Sequence, residues 1–476
     1  MLPSFALVVV LVVDQLRTDE ILRGQEKLNP AGLGLVLNRG IFFDDAHHTN
    51  FFTKTCPGHV AISTGSLPGL SGISQNEEWG RSENRKVYCV EDSKNHLLEA
   101  PLDEKDVMAG TSASKLMTST IGDELKFIYH EDSKVVSVAA KDRAAITLAG
   151  HVGDGVFWYA PKNKIWTSST AYAKELPSWL KAFNEKQTSV SESYFPTDKA
   201  IEDTTSVSLL AAENLKLGLH KKPDLLLISY STHDLVAHKK GDDSKELEHT
   251  LSVEDQNIAR LLLGLQKSLG EKKMLVVLTA DHGAGVDSKA ARALHIPAGQ
   301  IEDKTLKDRI NSCLKGKARL SAAVSMTLFV EPRANENVEE RKKKLEQVKV
   351  CFQKQEGVWG AFTRDEILEN HIPQVPWLKY LQGSYNPERG ADVVGVLKPY
   401  WNSDRDDLVS HETPYDYDSW VPLAFWWKDI KPRTLHERVL VTQLAPTLSR
   451  LLRTRRPNGA TEGVLREILE SAEQDH

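Results

Sequence analysis

Cysteine is scarce. The chain has four, Cys56, Cys89, Cys313 and Cys351, with no C-x-x-C pair among them. That spacing excludes a cysteine zinc site and leaves room for one or two disulfides in an oxidising compartment. An excess of positive charge is also missing. Lys and Arg total 60 against 66 Asp and Glu, for a formal net charge of −6, which argues against nucleic acid as a partner. The one cationic run, Arg341-Lys342-Lys343-Lys344, follows Glu339-Glu340 and fits a solvated helix face. There is no internal repeat and no long low-complexity linker, which excludes a repeat architecture. Long hydrophobic runs are absent too. The most apolar one, in MLPSFALVVVLVVDQLRTDE, falls short of the about 20 residues a membrane span needs. It lacks a basic start and a small-residue cleavage site, so it reads as a buried strand ending at Asp14 and not as an export leader.

What is present is a large globular composition, 40% hydrophobic and 26% charged over 476 residues. Five short, β-branched apolar runs bounded by polar residues read as buried strands: Phe5–Val13, Val135–Ala140, Leu225–Tyr230, Met274–Ala280 and Val421–Trp427. Helical spacing appears between them, in SASKLMTSTIGDELKFI and SVEDQNIARLLLGLQKSL. Strands alternating with helices predict an α/β fold with a mostly parallel central sheet and helices on both faces. The stretches 155–215 and 285–400 are more polar and less regular. They are expected to be cap or insert segments of one domain spanning 1–476, without a core pattern of their own.

In open α/β sheets, ligands bind beyond the carboxyl ends of the strands. Those ends are where the ionisable residues gather here. Asp14 closes the first apolar run. Asp234 follows LLLISYSTHD, with His238 four residues on. Asp281-His282 close MLVVLTADHG, and His411 precedes the last strand in SHETPYDYDSWVP. Singly, each has an ordinary explanation: a lone Asp after a strand is usually a cap or turn residue. As a set, they are the ligand types of two zinc ions. One group is Asp234, His238 and His411. The other is Asp14, Asp281 and His282, completed by a hydroxyl. Two such metals can clamp the attacking and leaving oxygens of an in-line displacement at phosphorus.

The stretch FFTKTCPGHVAIST reads as a strand end turning into a helix, and Thr55 stands at the turn. A hydroxyl bound to zinc ionises near neutral pH, and a helix N-terminus offers N–H groups to a phosphate. Thr55 is therefore the expected nucleophile, with Cys56 as packing. In VVSVAAKDRAAITLAGH, Lys141 and Arg143 fall on one face if the strand continues, placing two cations to grip phosphoryl oxygens. Asn76 in GISQNEEW adds a further polar group.

Thr-Cys-Pro-Gly-His, Lys-Asp-Arg, Asp-x-x-x-His, Ala-Asp-His-Gly and the late His, in this order over nearly the whole chain, resemble the alkaline phosphatase superfamily. The resemblance is to the bacterial phosphate-irrepressible, threonine-nucleophile alkaline phosphatases. It implies two zinc ions, a covalent phosphothreonine on Thr55, and phosphoryl contacts from Asn76, Lys141 and Arg143. Asp14, Asp281 and His282 then hold the zinc at Thr55, and Asp234, His238 and His411 hold the second. It also implies small-molecule phosphate monoesters as substrates and a periplasmic or secreted location, although the chain shows no leader. Two features depart from the pattern. Glu412 follows His411 where family members often have glycine, and His233 lies beside Asp234. A phosphodiesterase or nucleotide pyrophosphatase of the same superfamily is the main rival, and a non-catalytic zinc-binding protein a lesser one. Lys141 with Arg143 argues for the more highly charged monoester.

Overall fold

All five apolar runs form strands of one ten-stranded sheet in the computed structural model, which describes residues 4–99, 110–187, 193–270, 273–403 and 407–474. The sheet contains, in chain order, β1 (Leu7–Val13), β2 (Ile41–His47), β3 (Val135–Ala139), β4 (Gly155–Ala160), β5 (Ile165–Thr167), β6 (Asp224–Tyr230), β7 (Met274–Thr279), β8 (Trp420–Trp427), β9 (Arg433–Leu435) and β10 (Val439–Leu440). Its spatial order is β9-β2-β8-β7-β1-β6-β3-β4-β5, with β10 also paired to β2. The run β7-β1-β6-β3-β4 is wholly parallel. Every residue of β1, β3, β6 and β7 is buried. Continuous Val and Leu runs are what a strand covered on both faces requires.

Two strands run the other way, the edge strand β5 and, inside the sheet, β8. β8 is antiparallel to both β7 and β2. Its amino end therefore lies at the same edge of the sheet as the carboxyl ends of β1, β3, β6 and β7. β2, antiparallel to β8, again delivers its carboxyl end there. This arrangement brings 14, 48–55, 141, 234, 281 and 411 to one side of the molecule.

Three expectations need correction. The stretch 155–215 is no mere insertion, because it supplies β4 and β5 to the main sheet. The segment 285–400 has a core of its own. Strands Leu320–Val324, Thr327–Val330, Val393–Leu397 and Val358–Thr363 form an antiparallel four-stranded sheet. Leu306, Ile310, Leu345, Val348 and Phe352, from helices Asp303–Leu314 and Val338–Gln353, pack with Leu328 and Val393 in one apolar cluster. Its alternation was hidden by the polar outer face of each helix. The helix expected over SASKLMTSTIGDELKFI occupies only Ile121–Tyr129, because Thr120 and Asp123 form a capping box that starts it there. SVEDQNIARLLLGLQKSL lies within the helix Lys245–Leu269 as expected.

All four cysteines are paired, as Cys56–Cys89 and Cys313–Cys351. Cys56, expected as packing alone, is a cross-link. Cys313–Cys351 joins the two helices of the 285–400 module across 38 residues of chain. Closing a loop of that length stabilises by about 3–4 kcal/mol in the chain-entropy account. The Cys313→Ser/Cys351→Ser variant should therefore lose about that much unfolding free energy, read as a lower guanidinium midpoint. Unchanged unfolding would mean the module is held by its apolar core alone.

Candidate metal centre and active site

Each strand end delivers one carboxylate or cation. Asp14 follows β1, and its N–H donates to Tyr230 O at 2.9 Å. Asp281 follows β7 by one residue. Asp234 sits in the first turn of the helix Thr232–Lys240 after β6. All three carboxylates are buried. Isolated buried carboxylates of like charge are costly, so this cluster calls for cations. The Lys141 ammonium supplies one, lying 2.6 Å from Asp14 Oδ2 and 2.5 Å from Asp234 Oδ2.

Three histidine rings turn toward these carboxylates. His282 Nδ1 lies 3.0 Å from Gly283 O, His411 Nδ1 is 2.5 Å from Thr53 O, and His238 Nδ1 is 2.7 Å from Val409 O. A ring whose Nδ1–H is bonded to a carbonyl has its Nε2 lone pair free, the arrangement in which imidazole binds metal. Each Nε2 faces the carboxylates. His282 Nε2 is 3.4 Å from Asp281 Oδ2 and 3.6 Å from Asp14 Oδ1. His238 and His411 place theirs 3.1 Å and 3.6 Å from Asp234 Oδ1. Three of these buried atoms, Asp14 Oδ1, Asp281 Oδ2 and His282 Nε2, make no hydrogen bond. Donor atoms orphaned in this way and turned on one another fit a divalent cation. Two groups have ligand atoms close enough to share one: Asp14, Asp281 and His282, and Asp234, His282 and His411. His282 thus stands between the two, its ring stacked on that of His411 with centroids 3.7 Å apart.

Charge within the cluster is unevenly met. Burial and the neighbouring Asp281 push Asp14 well above the ordinary carboxylate range. Burial also opposes ionisation of Asp234, but Lys141 and His238 outweigh it and hold its pKa well below that range. Asp281 is likewise lowered against burial, by His282 and His59. Burial drives His282 down to about 3, so the ring is neutral at physiological pH. One ammonium cannot neutralise three carboxylates, and a second and third positive charge have donors ready for them.

Thr55 is the first residue of the helix Thr55–Thr64 and is buried beside this cluster. A Cβ on Gly58 would stand 2.2 Å from Asp281 O. Only glycine lets the helix start lie this close to the Asp281 backbone. His59, four residues after Thr55, contacts Thr55 O at 2.8 Å through Nδ1 and Ser229 Oγ at 2.8 Å through Nε2. Asn76 Oδ1 accepts from the Cys56 N–H at 2.8 Å, capping the same helix start.

The structure therefore gathers Asp14, Thr55, Asp234, His238, Asp281, His282 and His411 at one sheet edge, with Asn76 at the helix start. It corrects the account of the two cations. β3 stops at Ala139, and Asp142–Ala149 is a helix with Lys141 immediately before it. Lys141 and Arg143 do not share a strand face. Lys141 reaches into the carboxylates, and Arg143 Nη1 lies 3.4 Å from the Tyr88 hydroxyl, which donates to Asp142 at 2.7 Å. The buried Arg143 Nε makes no hydrogen bond. His233 takes no part in either ligand group. It pairs with Glu20 at 3.1 Å. Glu412 pairs with Lys54.

The fold agrees with that of known proteins. A family model described as type I phosphodiesterase / nucleotide pyrophosphatase matches residues 8–416. The chain belongs to that family. It is 28% identical to alkaline phosphatase PafA of Elizabethkingia meningoseptica, over 98% of this chain and 95% of that protein. A crystal structure of wild-type alkaline phosphatase PafA superposes with a TM-score of 0.90 at 27% identity, covering 98% of this chain and 100% of that one. Murine ectonucleotide pyrophosphatase / phosphodiesterase 5 shares the fold, with a TM-score of 0.60 at 16% identity and coverage of 98% and 99%. The chain is thus a member of the alkaline phosphatase superfamily.

In this family member, sequence reasoning missed Gln15. It adopts a left-handed conformation, φ +71°, uncommon for a side chain of its size. Its N–H donates to Asp281 Oδ1 at 3.1 Å and its Nε2 to Asp234 Oδ1 at 2.9 Å. Gln15 thus ties a carboxylate of one ligand group to a carboxylate of the other, and its place directly after a strand-end Asp was the available signal. His59 was also missed, though its spacing from Thr55 puts both on one helix face.

Behind His233 lies Glu254, fully buried on the helix Lys245–Leu269, with no hydrogen bond to either carboxylate oxygen. Burial raises its pKa from 4.5 to about 8. A raised carboxyl favours folding below its unfolded value, and that contribution is lost as pH rises through the folded one. Glu254→Gln is neutral at every pH. It should match wild type in melting temperature near about pH 5 and exceed it by several degrees near about pH 9. Parallel melting curves across that range would show that Glu254 ionises freely in the fold.

Proposed function

We propose that this chain hydrolyses phosphate monoesters through a covalent phosphothreonine on Thr55, with two zinc ions as cofactors. The observation carrying this reading is the set of three histidines, each with Nδ1 against a backbone carbonyl and Nε2 turned toward buried carboxylates beside a helix that starts at Thr55. Asp14, Asp281 and His282 would hold the zinc at Thr55, and Asp234, His238 and His411 the other. His282 is close enough to Asp234 to serve between them. Bound there, the pair would supply Lewis-acid charge to the attacking and leaving oxygens.

The chain's own groups do the rest. Thr55 Oγ forms the new bond to phosphorus as the ester oxygen departs, and water then cleaves the phosphothreonine to release phosphate. At the Thr55 helix start Asn76 takes the Cys56 N–H, Lys54 O takes the Gly58 N–H and Pro57 has none, which leaves the Thr55 N–H for the anion. Arg143, charged at any working pH and partnered chiefly by Tyr88, offers its fork to two non-bridging oxygens. Lys141 contributes a second cation, with Asn76 beside the nucleophile. His59 and Gln15 fix the Thr55 backbone and the carboxylates. We place the enzyme in the periplasm or outside the cell, a reading supported by two disulfides. Among the described residues, no helix is long and apolar enough to cross a membrane. We treat 1–476 as one catalytic unit carrying the 285–400 module as an insertion.

The family description favours one alternative, a phosphodiesterase or nucleotide pyrophosphatase. Two cations beside the site, Lys141 buried and Arg143 half-buried, suit the monoester dianion better than a diester monoanion. Zinc-loaded wild type should hydrolyse p-nitrophenyl phosphate much faster than bis-p-nitrophenyl phosphate, Thr55→Ala should lose nearly all turnover, and chelation should abolish activity until zinc returns. Lys141→Ala/Arg143→Ala should lose about a hundredfold to a thousandfold in monoesterase and little in diesterase. A faster diester reaction, indifferent to the double variant, would establish the alternative.

A further inference from the structure

One ion pair joins the nucleophile's own segment to the last histidine's loop. Lys54 is the residue before Thr55, and its carbonyl accepts the Gly58 N–H at 2.9 Å, the bond that opens the nucleophile helix. Its ammonium is buried and lies 2.5 Å from Glu412 Oε1 and 2.8 Å from Ser325 Oγ. Glu412 directly follows His411. Its other carboxylate oxygen accepts from Ser403 Oγ, and its N–H donates to Thr53 Oγ1 at 3.1 Å. Ser325 sits in the two-residue turn between the strands Leu320–Val324 and Thr327–Val330 of the 285–400 module, and its N–H donates to Asp303 at 2.9 Å. Three segments remote in sequence, around Lys54, Ser325 and 403–412, therefore converge on this pair.

The backbone at Glu412 shows that this position is held and not merely occupied. Its φ is +118°, a region that L side chains rarely adopt and that glycine enters freely. Such a conformation persists where the surroundings over-determine it. Here they do so through both carboxylate oxygens and the N–H of one residue. The same two loops are already laced together. His411 Nδ1 bonds Thr53 O, Thr53 Oγ1 donates to Thr413 O at 3.0 Å, and Thr413 N and Oγ1 both donate to Asp418 Oδ2. These bonds fix the loops along their length. Beside the bonds from Phe51 N–H to Ser384 and from the Tyr415 hydroxyl to Leu397 O, the Lys54–Glu412 pair anchors them to Ser325 and Ser403, so that a shift of the module is felt at Thr55 and His411 together.

We propose that Lys54 and Glu412 are positioning residues, a buried ion pair that sets Thr55 and His411 in register with each other and locks both to the 285–400 module. The inference rests on the phosphatase reading for its kinetic consequence, but not for its structural one. A displacement of about an ångström in a reacting group costs up to about a hundredfold in rate.

The test uses the full-length protein as wild type, Lys54→Met, Glu412→Gln, the double variant and Lys54→Arg. Each is followed by p-nitrophenyl phosphate kinetics, zinc content, melting temperature and the absorption spectrum of the cobalt(II)-loaded protein. Each single variant is expected to lose about tenfold to a hundredfold in kcat with KM and zinc content near wild type. The double variant should be no worse than the poorer single one, because the two act as a unit. Lys54→Arg should retain most activity. The cobalt spectrum should shift in Glu412→Gln and Lys54→Met and return to wild type in Lys54→Arg. Unchanged kcat and cobalt spectra, with only the melting temperature lowered, would reduce the pair to a structural tie and overturn the proposal. An inactive wild type would refute the monoesterase reading, and the cobalt spectra would then decide the positioning role by themselves.

Discussion

Three carboxylates held out of water at neighbouring strand ends set the terms for everything around them. Asp14, Asp234 and Asp281 repel one another in a medium where each would cost several kcal/mol without a counter-charge. The sheet has no means of separating them, since β6, β1 and β7 are adjacent and parallel and their registers are fixed by continuous hydrogen bonding. Only cations at the strand ends make such a sheet edge stable. Lys141 is one that the chain carries for itself, and the geometry of His282 and His411 with His238 suits metal ions for the remainder.

That requirement explains features that otherwise look unrelated. The reversed strand β8 is what brings His411 to the same edge as residues from parallel strands. Glycine at position 58 is what lets a helix start press against Asp281, placing Thr55 beside the carboxylates. Gln15 accepts a left-handed backbone so that one side chain bonds Asp234 while its own N–H bonds Asp281. Strain and close approach concentrate where opposing charges must be held at fixed separation.

The strands and the ionisable residues at their ends were legible in the sequence because both signals are local. A run such as LVVVLVV followed by Asp needs no distant information to be read. The alternation of strands and helices likewise gave the parallel sheet, and the ordered motifs gave the family. What was not legible depends on tertiary partners. Lys141 and Arg143 look like neighbours on a strand until Asp142 begins a helix between them, which no periodicity over three residues can show. The module's core was obscured because its helices expose a broad charged face, as Val338–Gln353 does with Glu339 to Lys343. Gln15, His59 and the Lys54–Glu412 pair act through bonds to residues far away in the chain, and only the folded geometry shows them. His282 was assigned to one ligand group from its place beside Asp281, whereas its ring lies within reach of both.

The central claim is that these carboxylates and histidines form two adjacent metal sites beside Thr55. Crystals grown with zinc and measured on both sides of the zinc absorption edge test it most directly. The account predicts two anomalous peaks, one against Asp14, Asp281 and His282 with Thr55 in contact, the other against Asp234, His238 and His411. A single peak, or zinc bound elsewhere while the Lys141 ammonium remains seated on Asp14 and Asp234, would contradict it.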